Sequence, residues 1–137
     1  MKQAPPQQNA EVVRQGYEHF RETGEVSLEL TDPGFVWDMS HYTGWPEQQI
    51  YPGVEGANQF ISEWRDAWDD WEWEVRSLHD AGDKVVAILH QAGRSKTTGV
   101  RVEMDFAQLF TMKEGRHMRM EMYADPHEAL AAAGLTR

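Results

Sequence analysis

Trp64-Arg-Asp-Ala-Trp68-Asp-Asp-Trp71-Glu-Trp73 is the stretch on which the fold turns. Trp64, Trp68 and Trp71 follow i, i+4, i+7 spacing, which is one face of a helix. Trp71, Trp73 and Val75 alternate, which is one face of a strand. The spacing predicts a helix over about 54–69 that hands over to a strand near Asp69-Asp70. All six tryptophans lie between Trp37 and Trp73. Tryptophan brings apolar area, a rigid ring and one N–H donor, so such a cluster either fills a core or walls an apolar pocket.

Upstream, Asn9 is placed to cap a helix over residues 10–22. Val12, Val13, Gly16, Tyr17 and Phe20 form its buried face, and Gly24 ends it. A short second helix is expected over 25–30, then a strand at 35–38. Residues 39–53 contain Gly and Pro and read as a loop carrying His41, Tyr42, Trp45 and Tyr51. Downstream, apolar runs at about 71–79, 84–93, 100–112 and 116–124 are separated by Asp80-Ala-Gly-Asp83, residues 95–99 and Lys113-Glu-Gly115, which have turn composition. Asp125-Pro126-His127-Glu128 supplies an N-cap, an N1 proline and an N3 acid to a last helix that ends at Gly134.

Helices placed before a strand meander define an α+β fold with the helices on one sheet face. The expected architecture is a cone-shaped barrel: a curved antiparallel sheet packed on N-terminal helices around an internal apolar pocket. The 137 residues suit one domain at 9–137, with 1–8 as a disordered lead-in. A hydrophobic content of 40% argues against disorder, and a net charge of −10 argues against nucleic acid or an anionic membrane as partner. The absence of cysteine excludes a disulfide scaffold, a thiolate nucleophile and a Cys-ligated zinc site. No apolar run approaches the ~20 residues of a membrane span, and the first residues have no secretory hydrophobic core, so a cytoplasmic protein is expected.

Acid–base chemistry has three candidates on the strands. Strand parity places Glu103, Asp105, Ala107 and Leu109 on one face and Met104, Phe106, Gln108 and Phe110 on the other. If the first face lines the cavity, Asp105 is a carboxyl among apolar side chains, with a raised pKa suited to proton transfer. The alternative is a rim acid facing solvent or Arg101. His90, on the neighbouring strand, could pair with Asp105 as a proton shuttle or sit on the outer face. Asp38 ends the first strand as a catalytic or binding group, or as a loop-capping Asx residue. Met118, Met120 and Met122 form one stripe, as core filling or as pocket wall. No His or Glu spacing suggests a metal site, and no nucleophile elbow or phosphate loop is present.

The element order, with Val12–Phe20, Phe35-Val-Trp37, Tyr51–Gly56, Phe60–Trp68, Asp80–Val86, Phe106–Phe110 and Tyr123–Leu135, resembles the nuclear-transport-factor-2-like superfamily, and within it the SnoaL-like polyketide cyclase group. That resemblance implies a strand-borne acid–base aspartate, here Asp105. Ketosteroid isomerases of the same fold are similar in placing a general base at Asp38 and an oxyanion-hole tyrosine at Tyr17, seven residues before Gly24. Their protonated aspartate falls at Ala107, two residues from Asp105. They also use the Met120 side of the last strand as pocket wall.

The expected ligand is a hydrophobic carbonyl compound, polycyclic or isoprenoid-like. The expected reaction is proton abstraction beside the carbonyl, followed by isomerisation or ring closure. Asp105, Asp38, His90 and Tyr17 are the catalytic candidates; Trp45, Tyr51, Trp64, His41 and Met120 are the substrate-binding candidates. No cofactor and no metal are required, and the resemblance implies a homodimer. A non-catalytic binder of an apolar ligand and an epoxide hydrolase-like enzyme are the alternatives.

Overall fold

The computed structural model describes residues 6–42 and 49–135. Helix α1 (Pro6–Thr23) precedes strand β1 (Thr31–Asp38), a short strand β2 (Ile50–Pro52) and helix α2 (Gly53–Asp66). Four long strands follow: β3 (Trp68–Ala81), β4 (Lys84–Ser95), β5 (Arg101–Lys113) and β6 (Arg116–Tyr123). Helix α3 (Pro126–Ala132) comes last. The strands form one sheet in the order β2-β1-β6-β5-β4-β3.

The sheet is mixed rather than purely antiparallel, because β1 runs parallel to β6. Between these two strands the chain passes through α2 and the whole β3–β5 meander, so no hairpin imposes an antiparallel return. The sheet is also open, with β2 and β3 as its edges. Among the described residues no helix is long and apolar enough to cross a membrane.

The two sheet faces carry separate cores. α1 and α2 cover one face, where Val13, Phe60 and Trp64 meet Leu89, Phe106, Phe110 and Met122. α3 covers part of the other, where Ala129 packs with Val86, Ala107, Leu109 and Tyr123. The expectation of helices on a single face is thereby corrected. The alternation of β4 and β5 is apolar on both sides at these positions, and each side needs a cover.

Several expected boundaries move. Helix α1 begins at Pro6, so residues 6–8 are helical, while residues 1–5 lie outside the described part. Asn9 is no cap; it is fully buried inside the helix and donates from Nδ2 to the Gly82 carbonyl at 3.1 Å. The expected helix at 25–30 does not form. Gly24, with φ of +79°, ends α1 by donating to the Phe20 carbonyl at 2.7 Å, and Val26 and Leu30 donate instead to the Asn58 and Ser27 side chains. Part of the expected loop at 39–53 is strand β2, whose Tyr51 pairs with Trp37 of β1.

The tryptophan run also changes its reading. α2 stops at Asp66, so Trp64 alone is helical and Trp68 opens β3. Asp70, with φ of +53°, sits in a bulge of β3, where the register against β4 shifts between Asp69 and Glu72. Aspartate tolerates this left-handed conformation better than most residues. The bulge changes strand parity, so Trp68 and Trp71 both pack on the helix-covered core despite a three-residue separation.

A second irregularity lies in β6. Thr111 pairs with Arg119, but the next residue, Met112, pairs with His117, which leaves Met118 as an extra residue. The consequence is that His117, Met120 and Met122 all belong to the helix-covered side.

The approach of α2 to β2 is close. A Cβ on Gly56 would lie 2.6 Å from the Tyr51 carbonyl carbon, a backbone atom that cannot move aside cheaply. Gly56→Ala is therefore expected to lower stability by about 1–3 kcal/mol, read as a drop in the urea midpoint. An unchanged midpoint would show that the contact can relax.

Candidate functional site

Between the two N-terminal helices and the sheet lies a cavity of about 100 Å³. That is the scale of a space for one small ring. Trp37, Phe60, Trp64, Trp71 and Trp73 form much of its wall, with Phe106 and Phe110 on the sheet side. The rings brace each other: Trp37 stacks on Phe60 with centroids 4.7 Å apart, and Tyr42 meets Trp64 edge-on at 5.6 Å. Trp73 carries the Arg21 guanidinium 4.0 Å from its ring centroid.

Gln91, buried on β4, holds the joint between helix and sheet. Its Oε1 accepts from the Trp64 indole at 3.0 Å and from the Trp71 indole at 2.9 Å. One side-chain oxygen thus satisfies two indole donors on different elements, one buried and one half-buried. Sequence reading did not single out this residue, although a glutamine on the apolar face of Leu89 and Phe106 is the available signal.

The polar groups on the cavity wall are few: Tyr17, Ser27, Gln108 and His117. Among the described lining residues none carries a charged side chain at neutral pH. The Tyr17 hydroxyl donates to Gln108 Oε1 at 2.5 Å. Burial pushes its pKa well above 10, so it remains a phenol and acts as a donor. His117 is 6% exposed, and its ring lies 4.9 Å from that of Phe110. Burial lowers its pKa to about 4, so the imidazole is neutral at pH 7. Its Nδ1 faces Thr31 Oγ1 at 3.5 Å, beyond the distance of a strong hydrogen bond, and its Nε2 has no partner among the described residues. Leaving a buried polar nitrogen unpaired costs about 1–3 kcal/mol.

Helix α1 makes room for this ring. A Cβ on Gly16 would stand 2.9 Å from His117 Cε1. Glycine inside a helix costs about 1 kcal/mol relative to alanine, so the close approach offsets a local penalty.

The structure separates the sequence candidates. Tyr17 and Trp64 line the cavity. Asp105 does not; it lies on the opposite face of β5, and its side chain is 60% exposed. The parity that groups Asp105 with Glu103, Ala107 and Leu109 holds, but that face is the outer one, because Phe106, Gln108 and Phe110 face the helices. His90 pairs with Asp105 as expected, at 2.7 Å from Nδ1, and its Nε2 lies 3.2 Å from Glu103. The hydrogen bonds to Asp105 and Glu103 raise the His90 pKa, and this cluster sits at the surface, away from the cavity.

Asp38 is buried at the end of β1 but is not part of the cavity lining. Burial raises its pKa, yet hydrogen bonds from Ser40 and Arg119 and the nearby guanidinium charge outweigh this and leave it lowered. Its Oδ1 accepts from the Ser40 amide at 2.8 Å, and its Oδ2 is paired with Arg119. His41 is outside as well, stacked on Tyr123 at 4.6 Å and 3.1 Å from Glu121. Asp38, His41 and Glu121 each offer a ligand atom within 4.8 Å of the others. A cation there would have to compete with Arg119, which already neutralises Asp38.

Tyr51 is fully buried and donates to Glu63 at 2.8 Å, so it braces α2 and does not line the cavity. Met120 is core; Met122 takes the cavity position expected for it. Trp45 lies outside the described residues. For Trp71 and Trp73 the choice between core and pocket wall falls to the wall.

A family model for the SnoaL-like domain matches residues 13–120. The chain belongs to the SnoaL-like domain family. No curated protein is similar enough in sequence to count as a relative. A nuclear-transport-factor-2-like protein from Burkholderia thailandensis E264 is 22% identical, with a TM-score of 0.74 and 98% of each chain covered. A protein named as a SnoaL-like polyketide cyclase, from Jannaschia sp. CCS1, is 21% identical, with a TM-score of 0.70, covering 100% of this chain and 99% of its own. TerC, co-crystallised with polyporic acid, is 20% identical, with a TM-score of 0.69, covering 93% of this SnoaL-like chain and 98% of its own. At these identities the likeness establishes the shared fold.

Two outcomes follow from the buried polar groups of this SnoaL-like domain. Gln91→Leu strands two indole N–H groups, and is expected to cost about 1–3 kcal/mol for each, with a changed near-ultraviolet tryptophan dichroism. Retention of the wild-type urea midpoint and spectrum would refute the bracing role.

His117 should impose an acid limit. Above pH 6.5 its ring is neutral both folded and unfolded and contributes no pH dependence. Between 6.5 and about 4 only the unfolded chain takes up the proton, so stability falls as pH falls. The full effect is on the order of 3 kcal/mol. His117→Phe should flatten the urea midpoint over that window, and an unchanged slope would show that the ring titrates normally.

Proposed function

We propose that the cavity takes a small, uncharged, largely hydrophobic carbonyl compound, on which the protein acts by acid–base chemistry of the isomerase or polyketide-cyclase-like kind. The observation that carries this reading is the Tyr17 hydroxyl. It is a phenol held protonated by burial, on the wall of an otherwise mostly apolar cavity. A donor of that kind stabilises the oxygen of an enolate as negative charge develops on it. The proton leaving the carbon would pass to a neutral acceptor on the wall, of which the His117 imidazole has an unpartnered nitrogen among the described residues. The present acceptor of the Tyr17 hydroxyl is Gln108 Oε1, a side-chain atom whose place a ligand oxygen would take.

The size of the cavity supports a ligand of about one ring rather than a polycyclic one. The absence of a charged lining residue among those described supports an uncharged ligand, since an ion would be buried without compensation. The family includes cyclases and isomerases, and a fold neighbour is co-crystallised with polyporic acid. Asp105, His90 and Asp38 stay outside the chemistry in this reading, because their side chains meet one another, Arg119 or solvent. The homodimer and the cytoplasmic location accompany it as proposals resting on the sequence and its resemblance.

Binding without turnover is the second reading, favoured by the lack of any carboxylate on the described cavity wall. A β,γ-unsaturated cyclohexenone separates the two. Catalysis predicts conversion to the conjugated ketone, followed by ultraviolet absorbance. Tyr17→Phe should slow it by ~10²-fold, the scale of losing one oxyanion donor. Asp105→Asn should leave it within about twofold, as expected for a surface substitution. Binding with no conversion would favour the second reading, and loss of conversion in Asp105→Asn would return the outer carboxylate to the mechanism.

A further inference from the structure

We propose that His117 Nε2 is the anchoring group of the cavity, and that it selects a neutral ring bearing a hydroxyl. The inference rests on the cavity being a ligand site, as proposed above. Four observations converge on it.

The nitrogen is buried, unpartnered among the described residues, and belongs to a cavity-lining residue. A buried group in that condition calls for a partner that the protein itself does not supply. The ring also reaches the cavity only through the extra residue at Met118. In a regular strand, position 117 would face away from Met120 and Met122. Bulges of this kind re-aim side chains beside functional sites. Gly16 then leaves the space in α1 that the imidazole occupies. Sequence, backbone and packing thus agree on placing this imidazole on the wall of an apolar space.

The fourth observation is the choice of ligand charge. The imidazole is neutral, and no lining residue among those described bears a charge. A carboxylate would meet no cation in the cavity, and an ammonium would meet no anion. An uncharged oxygen is what remains. A hydroxyl fits either ring tautomer, because it donates to a bare Nε2 and accepts from Nε2–H. The Thr31 hydroxyl, 3.5 Å from Nδ1, can donate or accept and so is compatible with either tautomer.

Toluene, p-cresol and benzoate serve as probes, with calorimetric titration at pH 7. Wild type is expected to bind p-cresol ~10-fold more tightly than toluene, the scale of one added hydrogen bond, and to give no heat with benzoate. In His117→Phe the two uncharged probes should bind alike, and His117→Gln should recover part of the p-cresol advantage. The imidazole ¹⁵N resonance of His117 in wild type should shift with p-cresol and not with toluene, which tests the contact without any substitution. Equal affinity of toluene and p-cresol for wild type, or an advantage that survives in a folded His117→Phe, would overturn the anchor while leaving the cavity reading in place. Failure of both uncharged probes to bind folded wild type would overturn the cavity reading and the anchor together.

Discussion

One oxygen atom, Gln91 Oε1, sits where helix α2, strand β3 and strand β4 meet, and accepts from both Trp64 and Trp71. Satisfying both N–H groups stabilises the buried Trp64 indole and the half-buried Trp71 indole at this joint. With them in place, the remaining rings stack outward. Trp64 meets Phe60 and Tyr42, Phe60 meets Trp37, and Trp71 meets Trp73. The aromatic wall of the cavity is an extension of this one polar contact. A core of aliphatic residues would collapse into the same space; rigid rings held at fixed angles keep it open.

Two bulges then decide what faces that wall. The one at Asp70 lets Trp68 and Trp71 share a face despite odd spacing, and the one at Met118 turns His117 inward. The same sheet carries its carboxylates on the other side. Asp105 and Glu103 hold His90, while Asp38 is tied to Arg119 and Ser40 at the end of β1. The protein thereby divides its polar chemistry in two. Ionised groups meet one another near the surface, and neutral hydrogen-bonding groups meet the cavity. A dry wall with a phenol and a neutral imidazole suits uncharged ligands, and any proton transfer there would have to run through neutral donors and acceptors.

Much of the fold was legible in the chain. The turn residues around Gly82, Gly99 and Gly115 located the hairpins, and the Asp125-Pro126 start and Gly134 stop marked α3, where Asp125 does cap the helix through the His127 amide at 2.9 Å. The site was legible only in part. Tyr17 was found because helical spacing places it on the buried face of α1 and ketosteroid isomerases resemble the chain in placing a tyrosine there, and Trp64 because it belongs to the tryptophan cluster. Asp105 stayed open between cavity and rim, because strand parity groups residues correctly but does not say which group faces the helices. His117 ranks low in the sequence because it lies beside a turn, and Gln91 was passed over because a single glutamine on an apolar face is a weak signal until its two donors are seen.

Periodicity, turn chemistry and composition are local properties, and by themselves they determined the α+β order and the boundaries of α2, α3 and the strand meander to within a few residues. The orientation of the sheet faces, the parallel pairing of β1 with β6 and the inward turn of His117 came only with the tertiary structure. Each depends on how distant segments satisfy one another's apolar surface and hydrogen bonds. A single extra residue in β6 exchanges inside for outside over that strand, and no local pattern around Met118 records where its partner Thr111-Met112 will lie.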